Sequence, residues 1–289
     1  MIRPYREADG PAVDALLAAA WPDDPVMAEI SSQHRVDGED GEGRSWRTLV
    51  ADEAGTVAGV GSLVASARHP SRYFCVVAVA PERRRRGLGW ALLAGLRSGG
   101  DGRPLQARVR ASDEAGLAFL RAHGFGSLMR SRTGVVDPGE ATEWIERNAG
   151  GPLRRPSREE AARLHEAAYA FEHASWSPVA ERPLEESLRL FCGESWLPES
   201  AGAAATGIAS LHGPPLAPST DELFLIAGTW LPGEPALRAL VAAAFAHARE
   251  RGATVSIEAD EANRALWRIL GELPARLDPD VCLLATDAA

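Results

Sequence analysis

The chain has 289 residues, of which 45% are hydrophobic and 25% charged, and its formal net charge is −9. That balance belongs to a folded globular protein of one or two domains, and the negative charge weighs against nucleic acid and anionic membranes as partners. Three widely spaced cysteines, Cys75, Cys192 and Cys282, give neither a disulfide framework nor a metal-ligand spacing, so no metal is expected.

The start, MIRPYREADG, holds charges where a signal peptide needs its apolar stretch, and a cytoplasmic protein is expected. In chain order, Ile2–Tyr5 reads as a short strand leading into a helix over Asp9–Ala20, with Val13, Leu16 and Leu17 on one face. An acidic, irregular stretch then runs to Gly43. WRTLVADE and GTVAGVGSLVASA read as strands around the hairpin signal Glu53-Ala54-Gly55. YFCVVAVA is a continuous apolar run suited to a central strand buried on both faces. A helix follows from Gly87, with Leu88, Leu92 and Leu96 on one stripe. LQARVRAS is a strand, Asp113–His123 a helix stopped by Gly124, and SLMRSRTGVV a last strand.

Between the apolar run and its helix stands VAPERRRRGLGWALL, Val79–Leu93. A helix start presents N–H groups without internal partners and a partial positive charge. Glycines at 87 and 89 let a ligand approach the backbone closely, and a diphosphate is the natural occupant of such a place. Arg84, Arg85 and Arg86 can add charge-assisted contacts. The competing reading is a solvated charged face. The loop has neither the Lys-Ser/Thr ending of a P-loop nor the third glycine of a dinucleotide fingerprint.

The sequence also resembles itself. DEAGLAFLRAHG at Asp113–Gly124 aligns with DEANRALWRILG at Asp260–Gly271, and AGTVAGVGSL at Ala54–Leu63 with AGAAATGIASL at Ala201–Leu211. Segments in the same order at nearly the same offset indicate two copies of one unit. Where the second copy should carry the arginine loop it reads WLPGEPALRALVAAAF. Pro232 matches Pro81, but Glu234 and Pro235 replace the arginines and glycines. A glutamate at a helix start stabilises the helix and repels a phosphate.

Arg84-Arg85-Arg86-Gly87-Leu88-Gly89 resembles the Arg/Gln-x-x-Gly-x-Gly/Ala signature of the GNAT acyltransferase superfamily. Val79 and Pro81 stand where that family's Val-x-Pro precedes it, and FLRAHGF at Phe119–Phe125 resembles its second signature. The resemblance covers Ile2–Asp137 and reaches the second half through the repeat, an arrangement similar to mycothiol synthase-type proteins. It implies an α/β fold of two GNAT-like domains in tandem, each a mixed, mostly antiparallel central sheet flanked by helices. The first, over 1–137, has the loop intact; 138–152 is a linker; 153–289 is a degenerate copy lacking the loop.

The resemblance further implies an enzyme transferring an acetyl group from acetyl-CoA to an amine, with no metal. Its donor site would comprise Val77, Val79, Arg84, Arg85, Arg86, Gly87, Leu88, Gly89, Trp90 and Asp113. Two positions depart from the family pattern. Asp113 replaces an Asn, and Leu120 replaces the Tyr that protonates the leaving thiolate. Tyr5, Tyr73 and Tyr169 are the only tyrosines. The acid and base are therefore unassigned, with Glu29 and His34 as candidates in the acidic stretch beside Asp23 and Asp24. Cys75 reads as a core thiol. The implied acceptor is a small-molecule amine. The second half would stabilise the first, add to the acceptor pocket through Trp176, Trp196 and Trp230, or form a homodimer. A longer acyl-CoA, a carrier-protein thioester, and a silent ligand-binding module stay open as alternatives.

Overall fold

In the computed structural model, the strand-like runs of the first half pair edge to edge. Residues 1–39, 44–190, 193–199, 207–214, 221–229 and 234–287 are described. In order come β1 (Ile2–Pro4), α1 (Gly10–Ala20), α2 (Pro25–Ser31), β2 (Gly38–Glu39), β3 (Ser45–Glu53), β4 (Thr56–Ala65), β5 (Tyr73–Val79), α3 (Leu88–Arg97), β6 (Leu105–Arg110), α4 (Glu114–Ala122) and β7 (Gly126–Val136). β1, β3, β4 and β5 pair antiparallel, and β5 and β6 pair parallel. Ala54 and Gly55, both at positive φ, make the tight turn between β3 and β4. α1 lays Val13, Leu16 and Leu17 on Val50, Val60 and Ala78 of one sheet face. α3 covers the other face, where Gly61 admits it: a Cβ there would stand 3.0 Å from Leu96 Cδ1.

The acidic stretch expected to be irregular contains α2. Asp24 starts that helix by accepting from Met27 N at 3.0 Å, and Met27 is fully buried. The apolar Val-Met-Ala-Glu-Ile segment is short, and its helical period shows only once Met27 has a core to enter.

The second half continues with α5 (Thr142–Asn148), β8 (Leu153–Arg154), α6 (Arg158–His173), α7 (Leu184–Leu190), β9 (Glu194–Pro198), β10 (Gly207–His212), β11 (Glu222–Thr229), α8 (Glu234–Glu250), β12 (Thr254–Asp260), α9 (Arg264–Glu272), β13 (Ala275–Leu277) and β14 (Val281–Ala285). β8, β9, β10 and β11 pair antiparallel, and β11 and β12 pair parallel. The one parallel step thus recurs at the same place in the strand order. This is the mixed, mostly antiparallel tandem plan that the repeat implies.

By its contacts the chain divides into two units. One is Met1–Val109 with Glu114–Leu128 and Leu283–Ala289; the other is Arg110–Asp113 with Met129–Cys282. These limits differ from 1–137 and 153–289 at both ends. The outer part of β7 pairs with β12 and β13 in the second unit, and Thr286 exchanges hydrogen bonds with Leu105 in the first. Nor is 138–152 simply a linker. Trp144 and Ile145 of α5 are buried in the second unit's core with Phe245 and Leu270, because two large apolar side chains on one short helix gain more from burial than from exposure. Among the described residues no helix is long and apolar enough to cross a membrane.

Candidate active site

β4 pairs with β5 as far as Val79, whereas β5 pairs with β6 only at Tyr73–Leu105 and Phe74–Gln106. Beyond Phe74 the two strands part. Backbone groups along a strand point alternately to its two edges. Tyr73 N donates to Pro104 O at 2.9 Å on the β6 side, and Ala80 N donates to Ala58 O at 3.0 Å on the β4 side. The N–H and C=O groups of Val77 and Val79 therefore line the gap. Val79 O accepts from Arg84 Nε at 3.2 Å.

After β5, Pro81–Arg83 form a single turn of 3₁₀ helix. Arg85 then takes φ +64°, a left-handed conformation that costs a non-glycine residue roughly 1 kcal/mol. Gly87 takes φ +79° as the N-cap of α3, and no side chain caps the helix. The amides of Leu88, Gly89 and Trp90 have no partner within their own helix. A Cβ on Gly87 would meet nothing within 4 Å, so the space beside Gly87 is open, whereas one on Gly89 would stand 3.3 Å from Phe119. Gly87 thus serves the open side, and Gly89 serves the packing of α4.

Arg83 pairs with Glu53 at 3.2 Å, while the exposed Arg85 and Arg86 have no ion pair among the described residues. Trp90 is 51% exposed, and its ring stacks on His123 at 5.0 Å and 17°. Val77, Val79, Arg84, Arg85, Arg86, Gly87, Leu88, Gly89 and Trp90 therefore come together around one gap and one helix start. Asp113 stands just before α4, where its amide donates to Arg110 O at 3.0 Å.

The proton-handling candidates are spread out. His34 Nε2 lies 3.4 Å from Asp14 Oδ1, and its ring meets Tyr5 edge-on at 5.4 Å. Burial holds its pKa below the ordinary imidazole value, partly offset by Asp14, so the ring is a neutral base at neutral pH. Its neighbour Arg35 donates its amide to Thr48 Oγ1, and Thr48 aligns through Ser62 with Val76, two strand spacings or roughly 10 Å away. Glu29 is an exposed residue of α2. Asp24 is committed to the α2 cap. Leu120 is buried. Tyr73 Oη accepts from Arg103 Nη2 at 2.6 Å, four residues along β5 from Val77. Cys75 is buried and its thiol is pushed up to about 12 by desolvation, which leaves it inert as a nucleophile.

Residues 44–126 match the family model for the acetyltransferase (GNAT) domain. Those residues carry a GNAT domain. Its chemistry is acyl transfer, and the parted strands and uncapped helix start fall inside the matched residues. A GCN5-related N-acetyltransferase from Sphaerobacter thermophilus has the same fold over 99% of this chain and 95% of its own, at 16% identity and TM-score 0.64. A tandem GNAT protein from the clavulanic acid biosynthesis pathway is similar over 100% of this chain and 98% of its own, at 17% identity and TM-score 0.60. A putative acetyltransferase from Pyrococcus horikoshii covers 100% of this chain at 13% identity and TM-score 0.57, with 89% of its own length included. By sequence, no curated protein matches the chain.

In the second unit, Trp196 is a buried core residue beneath Arg155, and Trp176 lies against His173 at 4.5 Å with the rings tilted by 35°. Trp230, Pro232 and Cys192 lie outside the described residues. The arginine-to-carbonyl bond at Val79 escaped the sequence reading, because nothing in the composition of the loop says which arginine folds back.

Proposed function

We propose that the protein is a cytoplasmic N-acetyltransferase that moves an acetyl group from acetyl-CoA to the amine of a small molecule. The observation that carries this reading is the parting of β5 and β6 directly beside a helix start that is open at Gly87. The donor brings an activated thioester carbonyl. The amides of Leu88, Gly89 and Trp90 would hold its diphosphate, with the guanidinium groups of Arg84, Arg85 and Arg86 around it. Val77 and Val79 would extend the sheet with the pantetheine arm, which requires Arg84 to release the Val79 carbonyl.

The Val77 N–H is aimed to donate to the carbonyl oxygen as negative charge develops there. Attack forms the N–C bond and breaks the C–S bond. The ammonium proton passes to a base, and His34, held neutral by burial, would receive it through water. Leu120 supplies no acid, so the thiolate leaves unassisted, which its conjugate acid's pKa of about 8.5 permits.

The test is release of free thiol from acetyl-CoA with a panel of small primary amines. The reading expects turnover with at least one amine and its loss in Gly87→Glu. Tight donor binding without release for any amine would instead mark a silent binding module.

A further inference from the structure

The second unit encloses a cavity of about 300 Å³ bounded by α6, β11, the end of β12 and the start of α9. Its wall is mainly apolar, from Tyr169, Phe224, Ile226 and Leu266, and Glu172, Glu258 and Asp260 also line it. Glu172 is held in place: Asn263 Nδ2 donates to its Oε1 at 2.7 Å and to Ala227 O at 3.2 Å. Asn263 cannot turn away, since its Oδ1 accepts from Leu266 N at 3.2 Å as the cap of α9. A Cβ on residue 228 would stand 2.5 Å from Glu172 Oε1, so glycine is what leaves room for the carboxyl group. Among the described residues no donor reaches Glu172 Oε2.

The cations nearby are already engaged. Arg182 donates to Glu166 Oε1 at 2.9 Å and lies 3.5 Å from Glu186 Oε1. His173, stacked on Tyr169 at 3.9 Å, makes its ring hydrogen bond with Tyr169 O. His165 bonds Ser210 Oγ at 2.6 Å, and burial drives its pKa down to about 3, so it stays neutral. Of the acidic neighbours, Glu258 accepts from Ser131 Oγ at 2.8 Å. Glu172 thus presents one carboxyl oxygen, with no donor among the described residues, to a largely apolar hollow.

We propose that this cavity is a binding site for a small primary amine, with Glu172 as its counter-ion and the Tyr169 and Phe224 rings around its apolar body. The site lies wholly in the second unit and does not depend on how the first unit binds a donor. It also explains why a carboxylic acid is kept so deep. Desolvation, helped by Asp260, pushes Glu172 up to about 8, so at neutral pH the carboxyl group holds a proton that an arriving ammonium group would displace.

The experiment is calorimetric titration of the intact chain with methylamine, butylamine and phenethylamine, in buffers of differing ionisation enthalpy. The site predicts binding that favours phenethylamine, with proton release at neutral pH that fades as pH rises past the folded value of Glu172, about 8. Glu172→Gln keeps an acceptor for Asn263 and should weaken binding at least tenfold and abolish the proton release. Gly87→Glu in the first unit should change neither quantity. Thermal melting of each variant separates loss of the site from loss of the fold. The proposal is overturned if no amine binds at millimolar concentration, if 3-phenylpropionate binds as well as phenethylamine, or if folded Glu172→Gln binds amines unchanged.

Discussion

The same topological position, the start of the helix that follows the strand before the parallel step, is built in two opposite ways. In the first unit α3 begins at Gly87 with no side-chain cap, open space beside Gly87, and two arginines without ion pairs among the described residues. In the second, α8 begins at Glu234, which accepts from Arg238 at 2.9 Å and Arg268 at 3.0 Å, while Arg238 also grips Glu272 through two bonds of 2.6 Å. Trp144 Nε1 adds a further donor to Glu272. One helix start carries no side-chain cap; the other begins at a glutamate paired with arginines of its own unit. A fold keeps its core when such a site is lost, because the core rests on the apolar faces and the site rests on a handful of loop residues.

If the second unit is organised by polar groups closed inside it, acid should strike it hard. Burial lowers the folded-state pKa of His165 to about 3 and of His212 to about 4. Both therefore contribute stability that is complete above the unfolded value near 6.5 and is lost as pH falls, at about 1.4 kcal/mol per histidine per pH unit. Glu172 works the other way between its unfolded and folded values, so Glu172→Gln should flatten the decline of stability with rising pH that its buried acid imposes. Urea unfolding from pH 7 down to 4 should show a loss of several kcal/mol, and the double variant His165→Gln, His212→Gln should remove most of that dependence.

The next effect in size is at the open helix start. Gly87→Glu should reduce acetyl-CoA affinity by about 100-fold, or roughly 3 kcal/mol, by setting a carboxylate beside the amides, with a stability loss of about 1 kcal/mol because the position is left-handed. At the closed helix start the expected outcome is reversed. Arg238→Ala should cost about 1–2 kcal/mol of stability by leaving Glu234 and Glu272 without their shared partner, and should leave donor affinity untouched. The smallest effect belongs to the exposed arginines: Arg85→Ala with Arg86→Ala should weaken the donor about tenfold at low salt, and the difference should shrink as ionic strength rises.

Much of this contrast was legible in the sequence. The loop glycines, the arginines and the glutamate that replaces them in the second copy are local features, and local chemistry reads directly from residue type. The strands were legible for the same reason, since Val50, Val60 and Ala78 alternate with the residues that α3 covers. What could not be read were the features that need a partner far along the chain. α2 depends on a core for Met27, α5 on one for Trp144 and Ile145, and the buried Glu172 on Asn263 and Gly228, 91 and 56 positions away. The contact between Thr286 and Leu105 is of the same kind, since no turn signal announces it.

The central claim is that one unit binds the donor and the other does not. Calorimetric titration of the intact chain with acetyl-CoA, repeated on Gly87→Glu and on Arg238→Ala, tests it most directly. The account predicts one site per chain, lost in Gly87→Glu and unaltered in Arg238→Ala. Two sites per chain, or a site that survives Gly87→Glu, would contradict it.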